Sequence, residues 1–150
     1  MKHLRKTKYG DYHQAIRFSV FQDFVIWIVV TDDIHKSIAA RYGENAAHQV
    51  GISLGMTIRA EQAACHIFIG HNAIYEPCVM AKVIAHEASH AVRNMFIWAG
   101  VCIEPLDSEI NAYHLGYTVE RATKFFQEVR DAQRKQAKRS GHSIKKCSKR

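Results

Sequence analysis

"PCVMAKVIAHEASHAVRNMFIWAG", residues 77–100, decides how the rest of the chain is read. Proline has a fixed φ and lacks the N–H that a first helical turn would leave unpaired, so Pro77 suits a helix start. Gly100 suits the stop, because glycine tolerates the left-handed conformation that ends helices. Between them Met80, Ile84, Ala88, Ala91 and Met95 recur at helical spacing. One long amphipathic helix is expected, with its apolar stripe on a core. His86 and His90 are four residues apart and therefore share a helix face, one turn from each other. Two imidazoles so placed can bind one Zn2+ at about 2.0–2.1 Å each. Glu87 is turned about 100° from His86, off the ligand face but able to reach a water on the metal. Zinc lowers the pKa of such a water toward about 7, and a carboxylate there can take its proton. The spacing H-E-x-x-H thus encodes two ligands and one base.

Outward from this helix the pattern changes. Residues 15–21, "AIRFSVF", alternate Ile16, Phe18 and Val20 against Arg17 and Ser19, which predicts a strand with one wet face. "FVIWIVV", 24–30, is apolar and β-branched throughout and predicts a more central strand. Gln22-Asp23 reads either as a turn between them or as part of one bent strand. In "TDDIHKSIAARYG" Thr31 is the expected cap, Asp32 and Asp33 the acidic first turn, and Gly43 the end of a helix. Residues 44–60 carry no readable period. "ACHIFIG", 64–70, predicts another strand. A second long helix starts near Asp107 or Ser108, with Leu115, Val119, Ala122, Phe126 and Val129 on one stripe, and frays into the C-terminal tail. The order strand, strand, helix, strand, helix, helix predicts an α+β domain, a small mixed or antiparallel sheet packed on helices.

The chain's 150 residues suit one domain. Its longest apolar run, Phe24 to Val30, is far short of the roughly 20 residues of a membrane span. No h-region follows the basic "MKHLRKTKYGDYH", so no signal peptide, no membrane partner and a cytoplasmic location are expected. Cys65, Cys78, Cys102 and Cys147 are scattered without a C-x-x-C pair, as reduced thiols would be. The net charge of +7 is uneven: residues 1–130 hold 13 Lys/Arg and 13 Asp/Glu, whereas 131–150 hold eight Lys/Arg and one acid. The expected division is therefore a neutral domain over 1–130 and a basic, flexible tail over 131–150, whose helix Gly141 should stop. Such a tail is expected either to attract a polyanion or an acidic protein surface or to serve only as a solubilising terminus without a partner.

A zinc site needs a third ligand. "LDSEINAYHLGY", 106–117, offers Glu109 in the first turn of the second long helix, with 18 residues between it and His90. Gly100 and Pro105 supply the turn that folds this helix back. "HEASH", 18 residues and Glu109 together resemble the gluzincin branch of the HExxH zincin metallopeptidases. The "E-x-N-A-Y" turn is also similar to that of small metallopeptidase domains that cleave phage immunity repressors. Compact HExxH proteins of this layout resemble ones encoded by phages and prophages. The resemblance covers residues 64–120 at most. It implies a zincin-like domain with one zinc per chain held by His86, His90 and Glu109, and Glu87 as general base. It also implies that strand 64–70 borders the cleft, where an extended substrate pairs with its edge. The chain lacks the large C-terminal domain that forms half the cleft in big gluzincins, and no second downstream histidine is assigned to the transition state.

Further candidates surround these residues. Tyr113 is four residues from Glu109, on the same face, where its hydroxyl could hydrogen-bond an oxyanion; packing between the helices is the alternative. His114 lies about 140° round from Glu109 and reads as exposed or structural. Asp107 suits either a second-shell partner of a ligand imidazole or a helix cap. Arg93 reads as solvated, and His66 and His71 flank the strand and could touch the cleft. Peptide-bond hydrolysis by zinc-activated water is the expected activity, on a protein or peptide substrate. A zincin-like module that docks a protein or nucleic acid through its tail, without catalysis, is the alternative, and Glu87 favours catalysis because a structural metal site has no use for a base.

Overall fold

β1, Tyr12–Arg17, and β2, Val25–Thr31, pair antiparallel, with Ile16 opposite Ile26. The segment between them is closed by Phe21 and Phe24, whose amides donate to the carbonyls of Phe18 and Phe21. It is therefore a turn region, and the first strand lies earlier than the alternation of residues 15–21 suggested. Phe18 and Phe24 are buried all the same, so their apolar character served packing and not strand period. The computed structural model describes Leu4 and residues 6–48, 54–60, 63–70, 77–101 and 108–147, with side chains omitted at 108 and 140–147.

β2 is apolar on both faces because it is interior. It pairs in parallel with β4, Ala64–Gly70, which pairs antiparallel with β3, Gly55–Arg59. The four-stranded mixed sheet has the order β1-β2-β4-β3. Two helices, α1 (Ile34–Tyr42) and α2 (Glu44–His48), connect β2 toward β3. The cap of α1 is Asp33, whose carboxylate accepts from the Lys36 amide at 2.9 Å. Thr31 does not cap; its hydroxyl instead accepts from the Asp33 amide at 3.2 Å, positioning the cap itself.

α3 (Pro77–Trp98) and α4 (Ser108–Cys147) cover one face of the sheet. Ile26, Ile28, Cys65 and Ile67 point into this layer against Ile84, Ala91, Met95 and Phe126. Each large aliphatic side chain so buried contributes about 1.5–3 kcal/mol. The other face carries Val29 and Phe68, packed on Ile34, Ile38 and Ala47 of α1 and α2. This smaller layer leaves part of the face uncovered beside Trp27 and His66, which are only half-buried. The chain is thus an α+β fold with a long C-terminal helix.

All five apolar positions anticipated on α3 are buried. On α4 the buried stripe is His114, Thr118, Ala122, Phe125, Phe126 and Val129, rotated from the anticipated one, with Leu115 and Val119 only half-buried. Among the described side chains Val129 is the last that is fully buried, and those from 131 to 139 are exposed or half-buried. The helix runs through Gly141 to Cys147 instead of stopping there. One glycine costs a helix about 1 kcal/mol, less than a break requires. Among the described residues no helix is long and apolar enough to cross a membrane.

Candidate metal centre

α3 presents His86 and His90 to solvent on one face, and their Nε2 atoms are 3.2 Å apart. The rings stand nearly perpendicular, at 87°, with centroids 4.7 Å apart. Tetrahedral coordination with bonds of about 2.0–2.1 Å requires two ligand nitrogens about 3.3 Å apart. The two imidazoles share a hydrogen bond at a separation that is also compatible with joint ligation of one zinc ion. Nothing in the sequence required both χ angles to turn toward one point; the i, i+4 spacing only allowed it.

Glu87 turns the other way and is only 7% exposed. It lies against β3, where the Thr57 hydroxyl is 2.8 Å from its Oε2 and 2.9 Å from its main-chain carbonyl oxygen. That hydroxyl has one proton to donate and two acceptors within reach. The strand approaches this closely because residue 55 is glycine. A Cβ there would stand 2.6 Å from Val83 Cγ1 and 2.9 Å from Glu87 Cγ. Gly55 and Thr57 face α3, while Met56 and Ile58 join the opposite layer. The alternation of "GMTIR" was the local signal for this strand inside the stretch that had no readable period.

β3, not strand 64–70, is the sheet edge beside the site. β4 is paired on both sides, with β2 and β3, so its backbone has no open edge for a substrate. The apolar run of β4 is the mark of that interior position. Its side chains also divide. Cys65 faces α3, its Sγ 4.0 Å from the Ala91 carbonyl oxygen, and burial pushes its thiol up to about 12. His66 points to the opposite face, where its Nδ1 is 2.5 Å from the Tyr42 hydroxyl, so it does not reach the α3 site.

Glu109 lies exposed in the first turn of α4. Among the described residues no three His, Cys, Asp or Glu side chains are gathered closely enough to hold a metal. The donor set that fits zinc is thus the His86–His90 pair, and Glu109 is not drawn up to it. Tyr113 is 70% exposed, and its ring meets His114 edge-on at 5.6 Å. His114 is buried among Phe18, Phe21 and Phe96, and its Nδ1–H donates to the Ile110 carbonyl at 2.7 Å. It is a packing histidine. Arg93 is exposed. Asp107 and His71 lie outside the described residues.

Compared with known proteins, the chain matches no family model, no curated protein and no solved structure. A functional reading therefore has to stand on the residues themselves.

Proposed function

We propose that the chain is a minimal zinc metallopeptidase of gluzincin type that hydrolyses a peptide bond in a protein or peptide substrate. The observation that supports this is the 3.2 Å convergence of the His86 and His90 Nε2 atoms one residue away from a buried glutamate. His86 and His90 would hold the metal, and zinc would have to draw Glu109 up from the exposed first turn of α4 to complete the ligand set. When bound, zinc supplies a Lewis acid that polarises the scissile carbonyl and acidifies water. To take the proton from the attacking water and return it to the leaving amine, the Glu87 carboxylate would have to turn from Thr57 toward the His86–His90 face. In the structure the Thr57 hydroxyl holds that carboxylate against β3. The outer edge of β3 aligns an extended substrate beside Glu87, and the Tyr113 hydroxyl stabilises the oxyanion. The scattered thiols suit a cytoplasmic enzyme.

Elemental analysis of protein purified without chelators tests the metal: close to one zinc per chain is expected, lost in His86→Ala and in His90→Ala. Glu87→Gln should keep zinc and lose cleavage of a broad peptide library. Absence of zinc, with no effect of added Zn2+ on melting, overturns the site. A second reading rests on the charge, since the whole excess of +7 lies in the last twenty residues. In that case the chain is a binding module that engages an acidic partner through the end of α4. Wild type that cleaves nothing, together with Glu87→Gln that retains full biological effect, selects it.

A further inference from the structure

The face of the sheet opposite α3 carries a second cleft, of about 630 Å3. Small-molecule sites span about 300–1,000 Å3. Its floor is aromatic and crosses three strands. The Trp27 ring on β2 has the His13 ring of β1 on one side, at 5.1 Å between centroids. On the other side it has the His66 ring of β4, at 6.4 Å and nearly parallel at 14°. Tyr42, at the end of α1, forms a wall that meets His66 edge-on at 5.7 Å. Burial pushes the Tyr42 hydroxyl up to about 12, and burial with the Arg41 charge pushes His66 down to about 4. At neutral pH the Tyr42–His66 hydrogen bond is therefore between two uncharged groups, and this corner of the cleft is neutral.

The charges lie on the wall and rim. Lys6, Lys8 and Arg41 line the cleft, and among the described residues no carboxylate does. Arg41 is committed to Asp11 behind it, through Nη1 at 2.7 Å and Nη2 at 2.8 Å. Lys6 leans toward Asp32 at 3.7 Å. Lys8, exposed at the rim beside Tyr9, is the cation best placed for a ligand.

The geometry points to a nucleoside monophosphate site, with the base laid on the Trp27 platform and the phosphate held at the rim by Lys8. Both halves of the cleft are needed for that conclusion. A bare anion has no use for a three-ring floor, and a neutral aromatic has no use for a rim of one sign. A ligand with a flat ring and an anionic group satisfies both, because bases stack on aromatic faces regardless of sequence and lysine receives phosphate as a point charge. The site is on the other side of the sheet from His86 and His90 and does not depend on the peptidase reading.

Trp27 and Trp98 are the two tryptophans, so the full chain with Trp98→Phe reports the cleft by fluorescence. Titration with AMP should quench Trp27 saturably in the sub-millimolar range. Adenosine should bind more weakly, and inorganic phosphate should neither quench nor bind comparably by calorimetry. Lys8→Ala should weaken AMP and leave adenosine unchanged. By calorimetry, Trp27→Ala should weaken AMP roughly 5- to 150-fold, the effect of removing one stacked base. Should Trp27→Ala fail to fold, the exposed floor variant His13→Ala carries the same test, and Glu87→Gln should bind AMP as wild type does. The proposal is overturned if AMP shows no saturable binding, if phosphate alone binds as tightly, or if AMP binding survives Lys8→Ala and His13→Ala unchanged.

Discussion

The same substitution, glycine to alanine, should have opposite effects at two positions. At Gly55 the added methyl would stand 2.6 Å from Val83 Cγ1 and 2.9 Å from Glu87 Cγ, with the Phe68 carbonyl oxygen at 3.4 Å. Relief by rotating Val83 is restricted, because valine in a helix strongly prefers one rotamer. β3 must therefore lift from α3 or Val83 must leave its well. Overpacking of this kind costs about 1–3 kcal/mol. Alanine also restricts the unfolded chain, a gain of about 0.4–1 kcal/mol that offsets part of the loss. At Gly116, within α4, the added Cβ meets nothing within 4 Å, so only favourable terms remain. There alanine should stabilise by up to about 1 kcal/mol through helix propensity. For a chain of this size about 2–4 °C of melting shift accompanies each kcal/mol. With the offset subtracted, Gly55→Ala should melt lower by up to roughly 10 °C, and Gly116→Ala slightly higher. Adding Val83→Ala to Gly55→Ala should recover part of the loss, since it deletes the atom in closest conflict. Gly55→Ala with wild-type stability, or no recovery by Val83→Ala, would refute the packing of β3 on α3 that positions Glu87.

Asp11 is 1% exposed and accepts from Arg41, from the Ser37 hydroxyl at 2.6 Å and from the Thr7 hydroxyl at 2.6 Å. Asp11→Ala leaves the Arg41 guanidinium buried without its partner and should cost about 3–5 kcal/mol in denaturant unfolding, much of it recovered by adding Arg41→Met. Burial alone would raise the Asp11 carboxyl, but hydrogen bonds from Arg41, Ser37 and Thr7 hold it below 3.8. That stability is present above pH 3.8 and lost as pH falls through the lowered value. His66 is pushed down to about 4 by burial, by Arg41 and by His13. The unfolded chain takes up this proton near pH 6.5 and the folded chain only near 4, so stability should fall as pH drops through that window. Discounted for its partial exposure the effect is about 1–2 kcal/mol, and His66→Asn should flatten that part of the pH–stability profile. Deleting residues 134–150 removes all eight tail cations, beyond Val129, the last fully buried residue among the described side chains. Melting temperature and zinc content should hold while retention on a polyanion column collapses; a large fall in melting temperature would show that the tail packs on the body.

Residues 77–100 were legible because helix start, stripe and stop are all local: a proline, a 3.6-residue period and a glycine are enough to define them. The spacing that lets His86 and His90 share a face follows from the same period. The strand character of 24–30 and 64–70 was legible too, since continuous β-branched runs suit interior strands. What tertiary structure alone decided is everything that depends on neighbours distant in sequence. β3 has five residues, one of them a glycine whose use is the close approach of α3 and not any local turn. Period two says that His66 opposes Cys65 and Ile67, but only the packing of α3 on one face assigns His66 to the other. Thr57 meets Glu87 across 30 residues of chain, and Trp27, His13 and His66 become one floor through strand pairing. The spacing of 18 residues between His90 and Glu109 is a contour length, and contour length does not determine where a helix start comes to rest. Local periodicity selects the elements and the faces they present; the registers and crossings that bring those faces together are set by the burial of the whole apolar surface at once.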